Sequence, residues 1–333
     1  MADLHLTINL PWGGKCKKVC GDISQNSMSK AKKQHWVPQF YLKEFAIEET
    51  KRSKKPQVWI FSKTEGDPVR VNVGDIAAKR YLYSPKKKDG SRSWEMENRL
   101  AELESAVSMF WPDIARGYVD LNEEDTRKIV ALFIATLILR HPDKINTVKQ
   151  VHGQIVEYLD RLPQDEHGNP NVNELETRDG RIIPLDSSDW EAYKNSSDAD
   201  HQETFIQQLQ DNAYRMAKTL RRKRWSIVIS EDPIFITTDR PVAIFNQKRE
   251  MFGLETKGTF INFPLSPTRV LVMDDRHEEP ASQYYSLAET GPAPANLTSW
   301  THAHEFMISS RHPDEINLEF AALGDVLESR GLL

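Results

Sequence analysis

The chain has 333 residues, 39% hydrophobic and 28% charged, with a net charge of −5, a balance that fits a globular protein of one large or two ordinary domains. Cys16 and Cys20 are its only cysteines, too few for a disulfide scaffold, and no apolar run approaches the about 18 residues of a membrane span. Residues 1–92 hold 19 Lys/Arg against 9 Asp/Glu, while the rest hold 25 against 40; such a basic segment on an acidic body is either a contact face for a polyanion or a solvated, lysine-rich surface.

Residues 1–34 read as a flexible basic extension without hydrophobic period. They contain no apolar block of the secretory type, so a reducing, cytoplasmic compartment is expected. Met28 reads as an alternative start, which would leave 1–27 as an extension. The aromatic segment His35-Trp36-Val37-Pro38-Gln39-Phe40-Tyr41-Leu42 suits a short helix with Pro38 in its first turn. Val58–Phe61 and Val69–Val73 read as strands joined at Gly66-Asp67-Pro68, and Tyr81–Tyr83 as a third extended piece. Leu100, Leu103, Val107, Phe110 and Ile114 recur at helical spacing, with Pro112 expected to kink or end that helix. Asn122 is the expected cap of a helix apolar on every side from Ile129 to Leu139, hence buried. Pro142 opens an amphipathic helix through Leu159. Residues 163–200 read as a polar surface insertion with a small hairpin at Asp179-Gly180. The next helix carries Phe205, Leu209, Ala213, Met216 and Leu220 on one side and ends in Arg221–Arg224. Strands follow at Trp225–Ile229, Phe235–Thr238, Val242–Phe245, Phe260–Phe263 and Arg269–Met273. A last helical region is expected from Asn296 through Phe306. The fold class is α+β: one large domain over 35–330, with a helical layer packed against a mostly antiparallel or mixed β-sheet.

The motif at His35–Leu42 resembles the opening of the bacterial "domain of unknown function 4238" family. Four further segments resemble that family in the same order: Glu97–Glu104, Leu139-Arg140-His141-Pro142, Trp225 through Asp239-Arg240-Pro241, and Phe263–Pro267. Asn296 followed by a helix is a weaker sixth, and together they span 35–310. Where the family has Ser-Asp-Asn/His-Pro, this chain has Thr238-Asp239-Arg240-Pro241. Some members are associated with antiviral defence, including a DNA glycosylase that removes modified bases from phage DNA, and the resemblance implies such a role here.

Asp239 ends an apolar strand before a proline turn, a place that projects a carboxylate into a cleft for water activation or for stabilising an oxocarbenium-like transition state. The alternative is an Asx turn or local cap. His35 is either a proton donor to a leaving base or a histidine that fixes its own segment. Glu104 borders the apolar stripe of its helix, with Glu97 two turns earlier. It is either an acid/base carboxylate facing Asp239 or the structural partner of Arg140. Trp36, Gln39, Tyr41, Arg140, Arg240 and Asn296 are the candidate substrate-binding residues. Lys54, Lys55, Lys87, Arg221, Arg222 and Arg224 are candidates for backbone phosphates. Cys16 and Cys20 have no second Cys/His pair at zinc spacing. No phosphate-cradling or dinucleotide glycine motif occurs, and no cofactor or metal is expected.

The leading expectation is a DNA glycosylase acting in defence on phage DNA with modified bases. A metal-dependent nuclease using Glu97, Glu104 and Asp239 and a non-catalytic sensor of a phage component remain as alternatives. The enzymatic reading places His35 and Asp239, some two hundred positions apart, around one cavity.

Overall fold

A computed structural model describes residues 31–64, 66–172, 174–176, 180, 182–184, 189–246, 248, 251–288 and 291–329, together with the backbone of 7–9 and 15–17. In chain order, the first part holds β1 (Thr7–Asn9), β2 (Lys15–Lys17), β3 (Lys33–His35), α1 (Gln39–Leu42), β4 (Gln57–Ser62), β5 (Val69–Asn72) and β6 (Ala78–Arg80). A helical stretch follows: α2 (Glu95–Arg116), α3 (Glu124–Leu139) and α4 (Asp143–Leu159). The hairpin β7 (Glu174–Glu176) and β8 (Ile182–Pro184) precedes α5 (Trp190–Lys194) and α6 (Asp198–Arg222). The last third holds β9 (Arg224–Ile229), β10 (Thr237–Thr238), β11 (Ala243–Asn246), β12 (Thr259–Ser266), β13 (Arg269–Asp274), β14 (Gln283–Ser286), α7 (Ala293–His302), β15 (Phe306–Ser309) and α8 (Pro313–Ser329).

The molecule is α+β. Its helical layer is centred on α3, whose residues from Ile129 to Leu137 are all buried, as a helix apolar on every side requires. α6 lies along α3 and offers Phe205, Leu209, Ala213, Ala217 and Leu220 to the interior. Its start is fixed by a reciprocal capping box between Ser197 and Asp200, which satisfies two otherwise orphaned backbone donors. Against this layer stand two principal sheets. One has the order β11-β12-β13-β9-β14, antiparallel except for the parallel pair β14–β9; the other is antiparallel in the order β10-β15-β4-β5. The β12–β13 register shifts between Pro264 and Ser266, because proline has no N–H to give the ladder.

Several local expectations are corrected. The cap of α3 is Glu123, not Asn122: its carboxylate accepts from the N–H groups of Asp125 and Thr126 at 3.3 and 2.7 Å. Pro112 does not end α2. The final turn is held from outside, Ser266 Oγ donating to Ala115 O at 2.7 Å and Arg269 Nη2 to Arg116 O at 2.6 Å. Tyr81–Tyr83 is a turn with Tyr81 at φ +56°, and the extended piece is Ala78–Arg80 just before it. The last helix expected through Phe306 stops at His302. Phe306–Ser309 instead forms β15, inserted between β10 and β4, so Thr237–Thr238 leaves the sheet of its sequence neighbours for the other one. No helix is long and apolar enough to cross a membrane among the described residues.

Candidate functional site

The aromatic segment 35–45 knits the two sheets to the helices. Tyr41 is fully buried and stacked on Phe263 at 5.4 Å between centroids. Its hydroxyl donates to Pro264 O at 2.8 Å and lies 2.6 Å from Thr237 Oγ1, and burial pushes the phenol far above its ordinary pKa. Phe40 packs edge-on to Trp111 and tilted against Phe133. Tyr41 is thus a core residue with no face to offer a base. Trp36 is half-buried and donates its indole N–H to Asp239 O at 3.0 Å.

The two distant stretches therefore do meet, but both oxygens of the Asp239 carboxylate are taken up by backbone amides. Asp239 is 1% exposed, and Oδ1 and Oδ2 accept the backbone N–H groups of His304 and Glu305 at 2.9 and 2.8 Å. Burial raises its pKa, against the opposing pull of those two bonds. Two charge-assisted bonds of this kind pin the turn that leads into β15. Asn296 is similarly committed, its amide accepting from Ile236 N at 3.0 Å and donating to Ile234 O at 2.9 Å. Arg240 reaches across to Asp143, Nη2 to Oδ2 at 2.9 Å.

A cavity of about 350 Å³ opens beside α2, within the size range of small-ligand sites. His35, Gln39 and Phe40 line one side, Glu97 and Glu104 the other. Spaced by seven residues, the two glutamates stand on one face of the helix. Beneath them Arg140 is completely buried. Its Nη1 donates to Glu104 Oε1 at 2.8 Å and its Nε to Trp36 O at 2.6 Å, and its carbonyl accepts from Tyr83 Oη at 2.8 Å. Its Nη2 makes no hydrogen bond among the described residues. Burial first, then the charge of Glu104, push Glu97 up to about 7, with Arg140 opposing. His35 is moved the other way, chiefly by burial and also by Lys33 and Arg140. With Nε2–H donated to Gly74 O at 3.3 Å, the neutral ring keeps a lone pair on Nδ1. The site thus combines an acid that titrates near neutrality, a carboxylate fixed by a buried guanidinium, and an uncharged imidazole.

The cavity accordingly brings together His35, Gln39 and Glu104 of the expected residues, with Arg140 supporting them, and with them Glu97, expected only in the nuclease alternative, as the most perturbed carboxylate. Asp239, Arg240 and Asn296 lie outside its lining. Behind Trp36 is a second group that sequence reasoning passed over. His141 meets Trp36 at 5.6 Å and His304 at 4.9 Å between centroids, and burial with the nearby Arg240 pushes it down to about 3. Its place between Arg140 and Pro142 was the available signal.

Of the basic candidates, Lys54, Lys55, Lys87 and Arg222 are exposed and Arg221 is half-buried. Arg224 is the exception: it is interior, 3% exposed, and fork-to-fork with Asp274 at 2.8 and 2.6 Å. Its place in a strand beside the end of α6 turns it inward, away from any phosphate. Cys16 lies on β2, and Cys20 falls outside the described residues. No group of three or more His, Cys, Asp and Glu among the described residues is placed to hold a metal ion.

A family model described as "Protein of unknown function (DUF4238)" matches residues 33–323. No curated protein and no solved structure matches the chain.

Proposed function

The chain belongs to the DUF4238 family, and we propose that it hydrolyses the N-glycosidic bond of a base flipped out of DNA, as a defence glycosylase acting on modified phage DNA. The observation that carries this reading is the pair Glu97 and Glu104 in one cavity, with the first pushed up to about 7. A carboxyl group held protonated near neutrality beside a second carboxyl group is what glycosidic hydrolysis uses. Glu97 gives its proton to the leaving base as the sugar–nitrogen bond breaks. The Glu104 carboxylate, oriented by Arg140, faces the positive charge that develops on the sugar. Water then adds to the sugar carbon and returns a proton to Glu97. His35 and Gln39 present hydrogen-bonding atoms to the base edge. Exposed Lys54, Lys55, Lys87 and Arg222, with Lys33 at the cavity itself, suit a polyanionic substrate.

The test is incubation of the purified chain with modified and with plain phage DNA, followed by alkali. Alkali-dependent breaks on modified DNA, unaffected by EDTA and abolished by Glu97→Gln, are the expected result. Breaks that need no alkali and vanish in EDTA would assign a nuclease instead. Intact DNA under every condition would refute the catalytic reading.

A further inference from the structure

The strand pair β3–β6, which carries His35 to the carboxylate-pair cavity, also carries a cation with no counter-ion. Side chains alternate along a strand, so Lys33 and His35 share a face, and both line the cavity. Arg80 is the registered partner of Lys33 across the pair. Its side chain therefore stands on that same face, two strand residues or about 7 Å along from His35. Lys33 is neutralised by Asp75 at 2.8 Å. Arg80 is exposed, and its guanidinium makes no ion pair among the described residues.

The next residue turns this cation and a second one into a fixed group. Tyr81 is held at φ +56°, a left-handed conformation that a bulky side chain adopts only where its surroundings enforce it. Two segments do so: Tyr81 N donates to Lys32 O at 2.8 Å, and Gln202 Nε2 of α6 donates to Tyr81 O at 2.6 Å. The Arg92 guanidinium lies 3.8 Å from the Tyr81 ring centroid and that of Arg80 lies 5.7 Å from it, both within the range of cation–π attraction. Arg92 is anchored further by Nη1 donating to Ser84 O at 2.6 Å. Trp94 meets the same tyrosine at 6.3 Å with the planes at 69°. It is the N-cap residue of α2, one turn before Glu97, so this aromatic–guanidinium group stands at the end of the helical wall of the cavity.

The surroundings are basic. Residues 79–92 hold six Lys/Arg and a single acid, Asp89, whose Oδ1 accepts from Ser91 N and Oγ. Beside Lys86–Lys88, Glu95 is committed to Arg99 and Asp200 to the cap of α6, which leaves Glu203 against three lysines.

We propose that Arg80 and Arg92, held on Tyr81, form a phosphodiester subsite for the nucleotide next to the flipped base, with Trp94 as the surface on which its base rests. A guanidinium can take a phosphate through two parallel N–H bonds. Cations already ordered on a ring lose less freedom on binding than free lysines do. That the anion is a DNA strand rests on the glycosylase reading, but the subsite can be tested without turnover.

The test is fluorescence anisotropy of a labelled single-stranded DNA dodecamer with the full chain, across a salt series. Arg80→Gln, on an exposed side chain, should bind about fivefold more weakly and lower the slope of log affinity against log salt by about 0.7, one single-strand phosphate contact. Arg92→Gln should act in the same direction. Trp94→Leu should weaken binding about tenfold with the slope unchanged. This pattern without cleavage of any DNA would leave the subsite standing and refute only the catalytic reading. Wild-type affinity and slope in Arg80→Gln and Arg92→Gln alike would overturn the subsite, whatever the cleavage assay shows. So would an absence of saturable binding by the wild-type chain, or displacement of the dodecamer by polyglutamate of equal charge as readily as by unlabelled DNA.

Discussion

Glu97→Gln isolates the most perturbed acid in the candidate site, and its effect on stability has a definite sign. In the folded chain Glu97 is pushed from an ordinary 4.5 up to about 7, chiefly by burial and by Glu104. The folded state therefore holds this proton more tightly than the unfolded state. The stabilisation is fully present below pH 4.5 and is lost as pH climbs toward about 7; the slope follows from proton linkage. At about 1.4 kcal/mol per pH unit the ceiling on the loss is about 3 kcal/mol. The side chain is half-buried rather than enclosed, so solvent screening reduces this to about 1–2 kcal/mol. Glutamine fills the same space and carries no charge at any pH. Urea unfolding of both proteins at about pH 5 and about pH 8 should show the wild type losing about 1–2 kcal/mol more than the variant. Parallel stability changes in the two would refute the argument that burial and Glu104 act on Glu97. The same substitution should lower cleavage by about 10²–10⁴-fold, the usual scale of a lost general acid.

Asp239→Asn keeps one acceptor where two are needed, stranding the N–H of His304 or Glu305. Chemical denaturation should show a loss of about 2–3 kcal/mol, with cleavage per folded molecule retained. Tyr41→Phe removes the hydroxyl that joins Thr237 to Pro264 O and should lower stability by about 1–2 kcal/mol in the same assay. Arg224→Met leaves Asp274 buried beside Arg276 alone and should cost about 3–5 kcal/mol. Exposed Arg222→Ala should cost under about 0.5 kcal/mol while reducing the salt dependence of DNA binding by about one ion.

The helical layer was legible because its signal is local. The unbroken apolar stretch of α3 and the one-sided stripe of α6 both follow from residue spacing, and their burial agrees with it. The end of the chain was less legible. Trp300, Ala303 and Phe306 fall at three-residue intervals, which reads as helix. Yet Phe306–Ser309 pairs with Ser62–Trp59 on the far side of the sequence. Such pairing is a tertiary effect that overrides local period. The cap of α3 slipped by one residue because asparagine has the stronger general preference, while here the longer Glu123 side chain reaches two amides at once.

The site divides along the same line. Asp239 and Glu97 look alike as sequence, each an acid within two or three residues of apolar ones, and position alone favours the strand-end aspartate. What separates them is the count of donors each carboxylate meets. The oxygens of Asp239 face two backbone amides some sixty-five positions away, and a group held that way is poorly placed to trade protons with a substrate. Glu97 meets a neighbouring carboxylate and an apolar wall at the edge of an open cavity, so its proton is the one that is poised to move. The seven-residue spacing to Glu104 was visible in the chain. The burial of Arg140, which fixes the Glu104 carboxyl group beside Glu97, depends on Trp36, Tyr83 and α2 arriving from separate segments. Chemistry here is expected where a carboxylate is left under-bonded, not where the backbone has already saturated it.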